Sequence, residues 1–451
     1  MIQSINPATN TLIKSYDIHS DIDVSSIINN MSEEFLIWRN TTSSERKSVL
    51  LKIAENLEKD SEIHATMISK EMGKPIRESR LEIEKCLWVI KYYAENSSEF
   101  LKKEHIETDY SESYIQYDPL GIILGIMPWN FPYWQVFRFI GPALMAGNIC
   151  LLKHASNVSG CSLLIEKLVK DSCKFENIFN SLLITSSQVE NIIKNKEVKA
   201  VSFTGSEVAG ADVAMKAGKE IKKTVLELGG SDPFIVLEDA DIKKAAQAGV
   251  VARFLNTGQS CIAAKRFIVD ESVYDEFIDT VKEKIKNLKE GDPMKDDTQI
   301  GPLAKPEFVE EIDRLVQSSI KDGAKCLLGG KIKEGCYYSP TLLIDVTENM
   351  SVFKYETFGP VFCITKASDT KDAVRLANQS IYGLGGSVWT SDIKSAKILA
   401  TKINTGALFI NDMTKSDPRL PFGGINKSGF GIELSKYGIR EFVNTKTIVI
   451  K

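Results

Sequence analysis

The chain has 451 residues, 43% of them hydrophobic, more than one core usually organises, so two or three domains are expected. Lys+Arg 56 against Asp+Glu 60 leaves a net charge of -4 without a basic block, which argues against a nucleic-acid partner. The longest apolar run, Gly121 to Met127, is cut by Pro128 well short of the roughly 20 residues that span a bilayer. Met1 to Pro7 has no charged or apolar leader segment, so a cytoplasmic protein without membrane contact is expected.

The eight cysteines are scattered with no C-x-x-C pair, which argues against a disulfide framework and a zinc site. Only four histidines occur (His19, His64, His105, His154), none in a ligand pattern. A general base is therefore expected to be a carboxylate, and no metal is called for.

The first hundred residues read as helices, beginning after a capping box in which Thr42 precedes Glu45. Val49, Ile53 and Leu57 then form one apolar stripe; a second helix stops at Gly73, before Pro75; a third carries Leu87, Ile90 and Ala94 inward. From Gly121 short apolar runs alternate with helix-length amphipathic segments, the pattern of βαβ units on mostly parallel sheets. Strands are expected at Ile122 to Ile126, Ile149 to Leu152, Lys199 to Phe203 and Thr224 to Leu228. A second series is expected at Pro233 to Leu237, Arg266 to Val269, Cys326 to Leu328, Val361 to Ile364, Ser387 to Trp389 and Ala407 to Ile410. With no linker between them, two α/β domains should pack closely around a site in their cleft.

Four segments can carry chemistry. Val201 to Gly210 is a strand, a Gly/Ser turn and a helix start, where backbone N–H groups can face a phosphate or simply close an ordinary turn. Glu227-Leu228-Gly229-Gly230 sets a carboxylate at a strand end, a candidate base or a turn residue. Asn256 to Cys261 delivers one thiol from a small, polar, flexible loop, as a nucleophile requires, although most lone cysteines are inert. Pro128-Trp129-Asn130-Phe131-Pro132 fixes an amide donor in a rigid turn, suited to an oxyanion hole.

Together with Leu152-Lys153, Glu356 to Pro360 and Pro421 to Gly424, these segments stand in the order of the NAD(P)-dependent aldehyde dehydrogenases, which the chain resembles almost end to end. Within that superfamily it is most similar to the short succinate-semialdehyde dehydrogenases of bacteria and cyanobacteria, through Trp129 to Arg138, Lys153 to Asn157 and Ser416 to Gly424. The resemblance implies an α/β fold of two Rossmann-type domains with parallel-sheet cores. Residues 1–99 and 119–229 would bind the cofactor and 230–437 would carry catalysis. Residues 100–118 and 438–451 would form a small β oligomerisation arm, giving a homodimer or homotetramer.

It further implies that Cys261 is the nucleophile, that Asn130 and the Cys261 N–H hold the thiohemiacetal oxygen, and that Glu227 activates the hydrolytic water. Cofactor contacts are implied for Trp129, Lys153, Ser156, Thr204, Gly205, Ser206, Leu228, Glu356 and Phe358. NADP, and not NAD alone, should be accepted, because Ser156 stands where many NAD-preferring relatives carry a glutamate that repels a 2′-phosphate. No second cysteine adjoins Cys261, so no redox switch is expected there. For a semialdehyde, the remote carboxylate needs a cation: Arg138, eight residues after Asn130 among Trp134, Phe137 and Phe139, is the leading candidate, with Trp134, Ser260 and Arg419 as further substrate contacts. Glutaric semialdehyde, betaine aldehyde or a catalytically silent binding role stay open as alternatives.

Overall fold

The computed structural model describes residues 1–451. The chain opens on a hairpin, Ile2–Asn6 against Thr11–Tyr16, which the sequence reading does not anticipate; the alternation of buried and exposed residues in its first strand is only five residues long, too short to register as a strand. The first helix, Asp21–Trp38, also precedes the expected one, under a capping box in which Asp23, not a glutamate, answers Ser20. Ser43–Lys59 then starts at Thr42 and Glu45 as read, and Ser61–Met72 ends at Gly73 in the left-handed region (φ 80). Ile76–Phe100 follows, burying Ile83, Ile90 and Ala94.

The first large sheet runs Gly429–Phe430, Lys223–Glu227, Val198–Thr204, Ile122–Met127, Ile149–His154, Phe179–Ser181, parallel except at the Gly429–Phe430 edge. Strand order reverses beside Ile122–Met127, so a crevice opens at the carboxyl ends of that strand and Val198–Thr204, the position where parallel α/β sheets take ligands. The second sheet has seven strands, ordered Lys325–Leu328, Thr341–Ile344, Val361–Ala367, Ala264–Asp270, Asp232–Val236, Ser387–Trp389, Phe409–Ile410, with only the first pair antiparallel. Phe179–Ser181, Thr341–Ile344 and Gly429–Phe430 are strands the sequence reading does not anticipate, each four residues or fewer. A third sheet pairs Glu112–Pro119 with Val443–Ile450, from Val443 opposite Pro119 to Ile450 opposite Glu112, and adds Glu104–His105. All eight cysteines are unpaired, and no helix is long and apolar enough to cross a membrane.

One buried carboxylate sets the start of the helix Trp134–Met145, every residue of which is buried. Glu82 accepts the N–H groups of Tyr133 (2.8 Å) and Trp134 (2.9 Å) and pairs with the equally buried Lys74, whose ammonium lies 3.7 Å from the Phe131 ring centre. A carboxylate at a helix N-terminus satisfies orphan donors and the positive end of the dipole. Glu82→Ala strands the Lys74 charge and should cost about 3–5 kcal/mol in urea unfolding; a loss below about 1 kcal/mol would contradict this role.

Candidate active site

Cys261 stands three residues before Ala264–Asp270, at the amino edge of the second sheet, facing the carboxyl ends of the first. The loop that delivers it is fixed rather than flexible, contrary to the sequence reading. Asn256, Thr257 and Gly258 are successively left-handed (φ 54, 55 and 77), a conformation that must be held by its surroundings. Glu78 accepts the Asn256 N–H at 2.6 Å, and the fully buried Arg253 donates to the Gly258, Thr357 and Gly359 carbonyls. A Cβ at position 258 would run into the Gly359 carbonyl, so only glycine fits. Lys265, also fully buried, donates to the Ser260 and Cys261 carbonyls, both at 2.8 Å, and pairs with Glu356 at 2.9 Å.

Asn130 is aimed at this loop. Gln135 donates to its Oδ1 (3.0 Å), which turns Nδ2 toward the nucleophile segment, where one hydrogen bonds the Gln259 carbonyl at 3.0 Å. Asn256 closes the arrangement by donating to the Asn130 and Gln259 carbonyls. His154 clamps the same turn: its Nε2 meets the Pro132 carbonyl at 2.8 Å, and burial pushes its pKa down to about 4, so it is neutral and structural. His64, bonded to Tyr133 at 2.7 Å, is likewise pushed down to about 4 by burial.

Glu227 ends the strand Lys223–Glu227, 1% exposed, and its carboxyl oxygens accept no hydrogen bond from the protein. Burial, then repulsion from Glu433, push its pKa well up, and Arg138 opposes them. Glu433 is buried too, and it forms an ion pair with Arg138. Cys261 feels both Arg138 and Glu227, but burial dominates and pushes its thiol up to about 12.

Between the two sheets lies a cavity of about 750 Å³, lined among others by Trp129, Asn130, Cys261, Ser206, Glu356 and Phe358. Thr204, Gly205 and Leu228 line it as well, so it gathers seven of the nine proposed cofactor residues with the thiol and the amide. Ser206 caps the helix Glu207–Lys219, whose N-terminus opens into the cavity. Lys153 and Ser156 lie outside that lining, at the end of Ile149–His154 and in the turn after it.

The substrate candidates separate. Arg138 does not stand free at a mouth: it is 3% exposed, pairs with Glu433 and donates to Thr204 Oγ1 at 3.3 Å, so the anion it requires comes from the protein itself. Arg419 is exposed and held by Asp417 of its own loop at 2.6 Å. Ser260 adjoins the nucleophile, and Trp134 forms a buried wall. Sequence reasoning missed Glu433, Lys265, Arg253 and Gln135. Gln135 stands a little over one helical turn after Asn130; Lys265 and Arg253 reach the nucleophile loop from within five residues but also bind Glu356, Thr357 and Gly359 far along the chain, and Glu433 acts only across a long separation.

The model of the aldehyde dehydrogenase family matches residues 1–448. The chain is 47% identical to a probable NADP(+) succinate-semialdehyde dehydrogenase of Synechocystis sp., covering 100% of this chain and 99% of that protein. It is 43% identical to an NADP(+) succinate-semialdehyde dehydrogenase of Mycobacterium avium, covering 100% and 96%. The crystal structure of the Streptococcus pyogenes succinic semialdehyde dehydrogenase with NADP+ superposes with a TM-score of 0.97 at 37% identity, over 100% of both chains.

A thiol held near 12 is almost wholly protonated at neutral pH, and its thiolate fraction rises tenfold per pH unit. Alkylation of Cys261 by iodoacetamide should therefore accelerate about tenfold per unit from pH 7 to 10. A plateau near pH 8 would show an ordinary or activated thiol.

Proposed function

The chain belongs to the aldehyde dehydrogenase family, and we propose that it oxidises succinic semialdehyde to succinate with NADP+. The observation that carries this reading is the convergence of a half-buried thiol, a fixed amide donor and an unbonded carboxylate beside a cavity of dinucleotide size. The names and NADP+ complexes of the relatives support the substrate and cofactor.

The residues present fit the cofactor. Gly229 lets the chain pass Glu356, whose Oε2 a Cβ would meet at 2.5 Å, while the helix N-terminus at Ser206 faces the cavity with unpaired N–H groups. Trp129 stacks on Phe308 at 4.9 Å and meets the Phe358 edge at 5.8 Å, an apolar wall for a flat ring. Lys153 and Lys305 are close enough to repel, and neither has a carboxylate partner. Two neighbouring cations without a carboxylate partner, one of them three residues before Ser156, suit a 2′-phosphate.

Cys261, deprotonated by Glu227, adds to the aldehyde carbon. The oxygen that becomes negative is held by the free Asn130 amide hydrogen and the Cys261 N–H. NADP+, when bound, would supply the acceptor for the hydride that leaves this carbon, so that Cys261 is left carrying a thioester. Once Glu227 has passed the thiol proton to solvent, it takes a proton from water, which attacks the thioester; the carbon–sulfur bond breaks, Cys261 leaves as thiolate and the acid is released. The raised proton affinity of Glu227 suits a base, and its lack of hydrogen bonds leaves both oxygens available.

The domain division at 1–99 with 119–229, 230–437 and the arm is supported by the three larger sheets, except that Gly429–Phe430, inside 230–437, pairs with Lys223–Glu227 of the first sheet. The arm, with Val449 and Ile450 exposed, would join copies into a homodimer or homotetramer in the cytoplasm.

Glu227→Gln should block deacylation while sparing acylation of a thiolate supplied at high pH. At pH 9 it should give a burst of NADPH about stoichiometric with enzyme, followed by turnover at least a hundredfold slower. Steady turnover at the normal rate would exclude Glu227 as the base.

A further inference from the structure

Four charged side chains line the cavity, the carboxylates of Glu207, Glu311 and Glu356 and the guanidinium of Arg314. Glu356 is paired with Lys265. The pyrophosphate of a dinucleotide is doubly anionic, so a carboxylate at the phosphate end of this cavity opposes binding unless something holds it aside. Glu207 is that carboxylate: it is the first residue of the helix Glu207–Lys219, directly after the cap Ser206. An acidic side chain there is drawn to the free N–H groups of its own helix, the groups an incoming phosphate needs.

Glu207 is not bonded to those groups. Its one hydrogen bond comes from across the cavity, where the Tyr382 hydroxyl donates to Glu207 Oε1 at 3.2 Å. Tyr382, 7% exposed, lies in the segment that leads into Ser387–Trp389 of the second sheet. Its backbone is fixed: its N–H bonds Ser380 Oγ at 3.1 Å, and the Gly383 N–H bonds Ser428 Oγ at 3.0 Å, which donates in turn to the Gly229 carbonyl at 2.7 Å. The ring lies against Gly229, where a Cβ would come within 3.3 Å of it. Burial, then the nearby Glu356 and Glu207 charges, push the phenol's pKa up, so it stays a donor.

We propose that Tyr382 is a positioning residue for the cofactor: by holding the Glu207 carboxylate across the cleft, it keeps the N-terminus of Glu207–Lys219 free for the pyrophosphate. Glu207 itself opposes binding, and the pair sets how tightly the dinucleotide is held. The two partners of one hydrogen bond therefore act in opposite directions, which packing alone does not produce. The inference rests on the dinucleotide reading of the cavity and is independent of the aldehyde.

The test is fluorescence titration of NADPH and of NADH against the enzyme without aldehyde, which needs no turnover. Absence of NADPH binding to the wild type would overturn the cofactor reading and this inference with it. Glu207→Gln should tighten both nucleotides by about 2- to 30-fold, the span of one charge at a helix N-terminus. Tyr382→Phe should weaken both by about 2- to 10-fold, the worth of one hydrogen bond, and should change binding by less than about twofold in a Glu207→Ala background. Equal weakening in the two backgrounds would show a merely structural tyrosine, and weaker binding in Glu207→Gln would make Glu207 a cofactor ligand; either result overturns the assignment. A change confined to NADPH would move the effect to the 2′-phosphate and overturn it as well.

Discussion

Two buried carboxylates, Glu227 and Glu433, lie in the field of one guanidinium, which pairs with Glu433 alone. Arg138 comes from the buried helix after Asn130, Glu227 from the end of a central strand, and Glu433 from the segment that returns to pair its backbone with Phe422. Arg138 also touches Thr204 and lies 5.1 Å from the Phe422 ring centre, so one side chain ties four stretches of chain behind the nucleophile. One cation cannot fully neutralise two carboxylates in so dry a place. One of the two carboxylates must keep a high proton affinity, and the residue placed to use it is Glu227.

The other half of the site is held by backbone strain under restraint. The left-handed run Asn256 to Gly258 would be costly in isolation, yet Glu78, Arg253 and the Asn130 network hold it from three sides. Lys265 then links the carbonyls of Ser260 and Cys261 to Glu356, so the nucleophile and a wall of the cofactor cavity share one buried cation. Such a site is organised before substrate arrives, which limits what catalysis must reorganise.

Much of this was legible in the chain. The strands of both large sheets, apart from Phe179–Ser181, Thr341–Ile344 and Gly429–Phe430, announced themselves as apolar runs bounded by turns, and the capping box at Thr42 and the stop at Gly73 marked their helix ends. The amino-terminal hairpin did not, because five residues of alternation are too few, nor did the helix at Asp21, whose box uses aspartate. Around the site, Cys261, Asn130 and Glu227 stood in short motifs, whereas Glu433 gains its meaning only from Arg138, distant in sequence, and Lys265 from Glu356 as much as from the adjacent loop. Arg138 shows the limit most clearly: its apolar surroundings correctly signalled a need for an anion, but nothing local could say that Glu433, 295 residues on, supplies it.

The most direct test is the pH dependence of deacylation in Arg138→Gln, followed as single-turnover thioester hydrolysis so that only properly folded enzyme is counted. Because Arg138 favours the ionised carboxylates, its removal should raise the apparent pKa of the Glu227–Glu433 pair and move the rising limb to higher pH by about 1–3 units. A limb that stays in place would show that the proton affinity of Glu227 is set without Arg138 and would contradict the account.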